Sequence, residues 1–298
     1  MASARSRRTR ATPGRILLAL GLAAAALHCA TARPATAPAG LAAAPVAFRS
    51  ASGSLIRGWF ARGRAGGGAV LLLHGIDASR VEMVPRARFL QDAGYTVLLI
   101  DFRAHGESTG EDPTYGALES RDARAALAFL RAAAPAERVG VIGISMGGAA
   151  ALLGPGPLPV DALVLESVYP TIDDAVHDRL RAWLGPVGPA LQGFVMWALF
   201  PRLGVTATDL RPIDRIGAQT APVFLLAGTA DPYTTIAESR ALFEAARAPK
   251  AYWPVEGAAH VDLHSFAPAE YERRVGAFLA EHLRAGAARV VRALSGSR

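Results

Sequence analysis

Five residues, Gly143-Ile144-Ser145-Met146-Gly147, follow the apolar run 139–144 and lead into a stretch of small residues. A G-x-S-x-G pentad between a buried strand and a helix forms a nucleophile elbow. The chain must turn sharply to lift the serine hydroxyl clear of the sheet. Side chains at the flanking positions would collide with neighbouring backbone. A plainer use of such a serine is to cap a helix in a glycine-rich turn; the strand before it and the helix after it favour the nucleophile. A serine hydroxyl reacts poorly unless a base takes its proton. Its partners are expected later in the chain, a carboxylate and then a histidine. Asp231 and His260 stand in that order, each just past an apolar run, 223–227 and 251–255. Both are thus expected at the carboxyl ends of parallel strands, where open α/β sheets carry their sites. In these roles His260 takes the Ser145 proton and returns it to the leaving group. Asp231 orients His260 and stabilises its imidazolium. A turn aspartate and a surface histidine are the duller readings; order, strand ends and elbow together weigh against them. His264 would be the base instead if that loop were shifted.

The anion formed when a serine adds to a carbonyl needs hydrogen-bond donors. Leu73-His74-Gly75-Ile76 ends the run 69–73, so the backbone N–H groups of Ile76 and Met146 are the candidate oxyanion donors. Other polar residues carry less. Ser167 follows a strand but lacks flanking glycines. Asp173-Asp174 reads as the start of a helix rather than a metal pair. His260 and His264 do not form H-E-x-x-H, because residue 261 is Val, so no zinc site is expected. Gly66–Gly68 precede their strand, whereas dinucleotide and phosphate-binding glycines follow theirs.

The elements that must position these residues alternate. The segments 46–48 and 55–60 flank the turn 51–54 and read as an antiparallel hairpin. Apolar runs at 69–73, 95–100, 139–144, 162–165, 223–227 and 251–255 read as strands buried on both faces. Helical patterns fill the intervals at 81–92, 119–133, 235–246 and 269–283. Such alternation predicts an α/β fold with a mostly parallel sheet covered on both faces.

From 167 to 221 no strand is expected. Structureless loops of that length are rare in compact domains, so the segment should fold into helices of its own. It holds Trp183, Phe194, Met196, Trp197 and Phe200, and residues 182–201 carry no charge. Pro186, Pro189 and three glycines argue against a regular membrane span there. A cap over an apolar pocket fits better, with some of these side chains packed on the core. Trp183 and Trp197 are the candidate substrate-binding residues of the cap.

The chain has 298 residues, a net charge of +7 and one cysteine, Cys29. A single cysteine excludes a disulfide framework and a C-x-x-C redox motif. Arg5, Arg7, Arg8, Arg10 and Arg15 carry most of the excess charge and leave +2 for the rest. No dense basic run remains for nucleic acid. These arginines, the uncharged run 16–27 and Ala30-Thr31-Ala32 make the three-part pattern of an export signal over 1–32. Residues 33–45 read as a linker and 46–298 as one domain. An uncleaved anchor associating with the membrane, or a lipid on Cys29, are the lower-ranked alternatives; His28 departs from the small residue that a lipobox places before its cysteine.

Taken together, His74-Gly75, Asp101–Ser108, Gly143–Gly148 and the Asp231 and His260 loops resemble the α/β-hydrolase superfamily. The likeness is strongest to its monoacylglycerol-lipase-like and serine-aminopeptidase-like branch and spans about 46–285. The resemblance implies an eight-stranded α/β-hydrolase fold with a helical lid near 167–210, and a serine hydrolase needing no cofactor. It also implies that the segment 101–108 is structural, so His105 is read as structural. The activity expected is cleavage of a carboxylic ester or related acyl bond of a small-molecule substrate, through an acyl-enzyme. Thioester cleavage, removal of an N-terminal amino acid and non-catalytic binding through the lid are the alternatives.

Overall fold

The computed structural model describes residues 37–284. The expected export signal, with Cys29 and the first linker residues, lies outside them. Residues 37–43, assigned to the linker by sequence, run against the body. Leu41 is buried, and Ala42 exchanges two hydrogen bonds with the Gln91 side chain at 3.1 and 3.0 Å.

Eight strands form one sheet: β1 (Ala44–Arg49), β2 (Leu55–Ala61), β3 (Ala69–Leu73), β4 (Thr96–Asp101), β5 (Val139–Ile144), β6 (Ala162–Glu166), β7 (Val223–Gly228) and β8 (Lys250–Val255). Their order is β1-β2-β4-β3-β5-β6-β7-β8. The β1–β2 and β2–β4 pairs are antiparallel and the others parallel. Side chains alternate across the sheet. Leu71, Leu73, Leu98, Ile100 and Val141 enter one core. Val70, Leu72, Val97, Leu99 and Ile142 enter the other. A two-residue period with both faces apolar is why these strands read as unbroken hydrophobic runs.

Helices α1 (Val84–Asp92), α2 (Glu119–Ala133) and α3 (Met146–Leu152) lie between β3 and β6. The first was expected from residue 81. Residues 80–83 form turns instead, with Met83 N–H on Arg80 O and Val84 N–H on Val81 O, and Pro85 sits in the first helical turn. Proline suits that position because it lacks the N–H that an interior helix residue needs.

The strandless stretch folds as expected into helices. Thr171 caps α4 (Ile172–Leu184) by accepting from Asp174 N–H at 3.2 Å. A 3₁₀ segment (Gly185–Leu191) leads into α5 (Gln192–Leu203), which ends at Gly204 in the left-handed conformation, φ 65°. Gln192 joins the two helices, donating to Asp173 O at 3.1 Å. Phe200 is buried and Met196 packs against the core. Trp183 and Trp197 are 68% and 73% exposed, and Val187 and Phe194 are exposed beside them in sequence. No helix among the described residues is long and apolar enough to cross a membrane. After the short α6 (Ile213–Ile216) come α7 (Ile236–Ala245), α8 (Leu263–Phe266) and α9 (Pro268–Leu283).

One polar contact ties α4 to α7. Oδ2 of Asp178 is buried without a hydrogen-bond donor. Its neighbour is the carboxyl of Glu238, which also completes the capping box at the start of α7. Burial, backed by the Asp178 charge, pushes the Glu238 carboxyl up to about 7. A raised acid favours the fold fully below its unfolded value, and that contribution fades as pH rises through the folded one. Glu238→Gln keeps the cap and stays neutral. It should raise the melting temperature at about pH 8 and change it little at about pH 5. An equal shift at both pH values would exclude a shared proton between the two carboxyls.

Candidate active site

Ser145 joins β5 to α3 with φ 48° and ψ −115°, a conformation that non-glycine residues rarely adopt. Its N–H is held by Glu166 O at 2.8 Å. The glycines explain themselves by contact distance. A Cβ on Gly147 would lie 2.4 Å from Leu73 O and 2.6 Å from His74 O; one on Gly143 would lie 2.7 Å from Gly148 Cα. Only at glycine can β3, β5 and α3 approach this closely.

The end of β3 runs alongside. A Cβ on Gly75 would sit 3.7 Å from Ser145 Cβ. His74 is buried and fixes this segment. Its Nε2 accepts the Phe102 N–H at 3.0 Å, which puts the ring proton on Nδ1. Nδ1 donates to Gly75 O at 2.6 Å. Among the described residues, the N–H groups of Ile76 and Met146 have no acceptor. Both are therefore free to receive an incoming oxygen.

Asp231 follows β7 and His260 follows β8. Their loops are stitched together by Ala230 N–H on Ala258 O at 2.9 Å and Gly257 N–H on Thr229 Oγ1 at 2.8 Å. His260 Nδ1 lies 2.7 Å from Asp231 Oδ2. Asp231 Oδ1 accepts from the backbone of Tyr233 and Thr234 at 2.8 and 3.0 Å. The carboxylate is thus fully buried and turned onto one ring nitrogen of a 21% exposed imidazole. The other histidines are engaged elsewhere. His264 Nε2 contacts Glu272 at 2.9 Å and its ring stacks on Phe89. His105 Nδ1 contacts Arg103 O at 2.7 Å.

Three features were not anticipated from sequence. Tyr233 lies edge-on to His260, with ring centroids 5.6 Å apart. Its hydroxyl accepts from Trp183 Nε1 at 3.3 Å, which brings that lid residue beside the His260 loop. Ser167 repeats the left-handed backbone, φ 48°, at the end of the strand next to β5. The third is Arg86, buried on α1. It bonds Glu166 through two nitrogens at 3.1 and 2.7 Å, Asp262 at 2.7 Å and Tyr271 at 3.1 Å. Glu166 holds the Ser145 amide and Asp262 stands two residues past His260. One guanidinium therefore spans both halves of the site. Burial pushes the Asp262 carboxyl up, but Arg86 outweighs it and holds it below the usual carboxylate range. Among the described residues no cluster of His, Cys, Asp or Glu could hold a metal ion.

Similarity to known proteins agrees with the fold. A family model described as alpha/beta hydrolase fold matches residues 68–195. The uncharacterised protein YqkD of Bacillus subtilis is 26% identical over 235 residues, 77% of each chain. The uncharacterised protein Rv2307c of Mycobacterium tuberculosis is 28% identical over 221 residues, covering 73% of this chain and 72% of its own. Among solved structures, the esterase Pf2001 of Pyrococcus furiosus superposes with a TM-score of 0.67 at 28% identity. That match covers 84% of this chain and 95% of the esterase.

Arg86→Met would leave Glu166 buried and uncompensated. It should cost about 3–5 kcal/mol in urea unfolding. Adding Glu166→Gln should return part of that loss; a double variant no more stable than the single would argue against the pairing. Sheet order, elbow and matched segment agree: the chain is an enzyme of the α/β-hydrolase fold.

Proposed function

We propose that the chain is an esterase in which Ser145 is the nucleophile, His260 the base and Asp231 the group that orients it. The observation that carries this reading is the 2.7 Å contact between His260 Nδ1 and a buried Asp231 carboxylate, in the loops after β8 and β7, together with the strained Ser145 turn after β5. Asp231 fixes the proton on Nδ1 and leaves Nε2 as the acceptor for the Ser145 hydroxyl proton. Ser145 Oγ then bonds the ester carbon, and the carbonyl oxygen becomes an anion facing the Ile76 and Met146 amides. Collapse breaks the bond to the alcohol, which leaves with the proton from His260. Water repeats the sequence on the acyl-enzyme and frees the acid and Ser145. Preorganised amide donors of this kind contribute roughly 10²–10³ in rate each. The likeness to the Pyrococcus furiosus esterase supports the choice of ester over amide or thioester. The proposal extends to an exported location, which rests on the leader sequence alone.

Ser145→Ala should lose on the order of 10⁶-fold in kcat on a short-chain p-nitrophenyl ester while keeping its fold. Retention of wild-type turnover would remove Ser145 from the mechanism. His260→Ala should abolish labelling by a fluorophosphonate probe, whereas His264→Ala should keep most of it. The reverse pattern would transfer the role of base to His264.

A further inference from the structure

Arg179 lies on the lid helix α4, and its guanidinium carbon stands 5.2 Å from the centroid of the Tyr233 ring. That same ring meets His260 edge-on. The charge of Arg179 also reaches the phenols of Tyr115 and Tyr169: burial pushes both up, and Arg179 opposes it. Tyr115 comes from the loop before α2, Tyr169 from the segment after β6, and Tyr233 from the loop after β7. One cation thus stacks over the ring of Tyr233 and is felt by the phenols of two further crossovers, Tyr115 and Tyr169.

Among the described residues no carboxylate lies within ion-pairing distance of Arg179. It donates one long hydrogen bond, 3.4 Å, to Ala175 O. The acids around it are engaged or face water. Asp174 binds the Thr171 hydroxyl. Asp178 faces Glu238. Asp231 is taken by His260 and two backbone amides. Glu119 accepts from Thr114 and Gly116. Asp77 and Asp112 are exposed. A half-buried guanidinium with five donors and no acid of its own is suited to an incoming anion, since its planar fork matches carboxylate and phosphate alike.

We propose that the substrate is an ester bearing an anionic group, carboxylate or phosphate, and that Arg179 holds that group beneath the lid while Ser145 attacks the ester carbon. This rests on the esterase reading and names the substrate class within it. Holding a group remote from the scissile bond orients the ester against the nucleophile.

The test compares kcat/KM within two pairs of esters, using the full-length enzyme. Monoethyl adipate is set against ethyl hexanoate, and butyrylglycerol 3-phosphate against monobutyrylglycerol. The wild type should favour the anionic member of at least one pair by roughly 10- to 100-fold, the range for a hydrogen-bonded charge. The pair that shows the preference distinguishes carboxylate from phosphate. Arg179→Met should remove the preference, and Arg179→Lys, which keeps the charge but not the fork, should retain part of it. Added salt should weaken the wild-type preference. Cleavage of the neutral esters with no anionic preference, or a preference that survives in Arg179→Met, overturns the assignment to Arg179 and leaves the esterase reading standing. Should Arg179→Met not fold, the wild-type preference and its salt dependence decide alone. Cleavage of none of the four esters overturns both readings.

Discussion

A single backbone conformation governs the centre of this molecule. Ser145 sits at φ 48°, in a region that costs a side-chain-bearing residue about 1–3 kcal/mol. The strain persists because the surroundings leave the turn no alternative. Glu166 O holds the serine amide. The backbones of β3 and α3 close over Gly143 and Gly147 at distances that no Cβ could occupy. The small residues after the elbow follow from the same demand: α3 is buried along its whole length, and between Met146 and Leu152 it carries only glycine and alanine.

A second constraint acts across the sheet. The Ser145 turn leaves β5, whereas the Asp231 and His260 loops leave β7 and β8. β6 lies between β5 and β7, and its last residue, Glu166, carries both links. Its carbonyl holds Ser145 and its carboxylate holds Arg86, which in turn holds Asp262 beyond His260. A buried ionic cluster of this kind is a poor source of net stability, because desolvation offsets most of the attraction. What it supplies here is geometry: displacement of either loop would leave a charge stranded in the core.

Much of this was legible in the sequence. Strands buried on both faces appear as apolar runs, and glycines flank a serine only where chains cross closely, so the sheet and the elbow could be placed from residue types. Asp231 and His260 were named by their order and by the strands before them, and the structure brings the two side chains into contact. Arg86 escaped notice because its partners lie 80 and 176 positions away. One signal was available: it shares the buried face of α1 with Val84, Ala87 and Leu90, where a charge needs a partner. Tyr233 was hidden for a different reason, since its contact with His260 exists only after β7 and β8 pair. The lid resisted reading most. The large apolar groups of residues 183–200 were expected to divide between core and pocket lining without the sequence saying which; Phe200 is buried and Met196 packs against the core, while Trp183, Phe194 and Trp197 are exposed. Burial favours apolar groups without being obligatory, so composition cannot say which of them turn outward.

The lid nevertheless meets the body in a definite pattern. Its outer segment, 182–201, has no charge at all. Its inner helix, α4, carries three side-chain contacts near the site: Arg179 over Tyr233, Asp178 against Glu238, and Trp183 donating to the Tyr233 hydroxyl. Two of these three converge on the residue beside His260, and the third grips the helix that begins just after the Asp231 loop. A displacement of α4 would therefore be felt first at Tyr233, beside His260, and last at Ser145, whose turn is fixed by backbone alone. The division is physically economical. The strained, costly conformation rests on the sheet, and the side chains that reach the residue beside His260 come from a helix outside it.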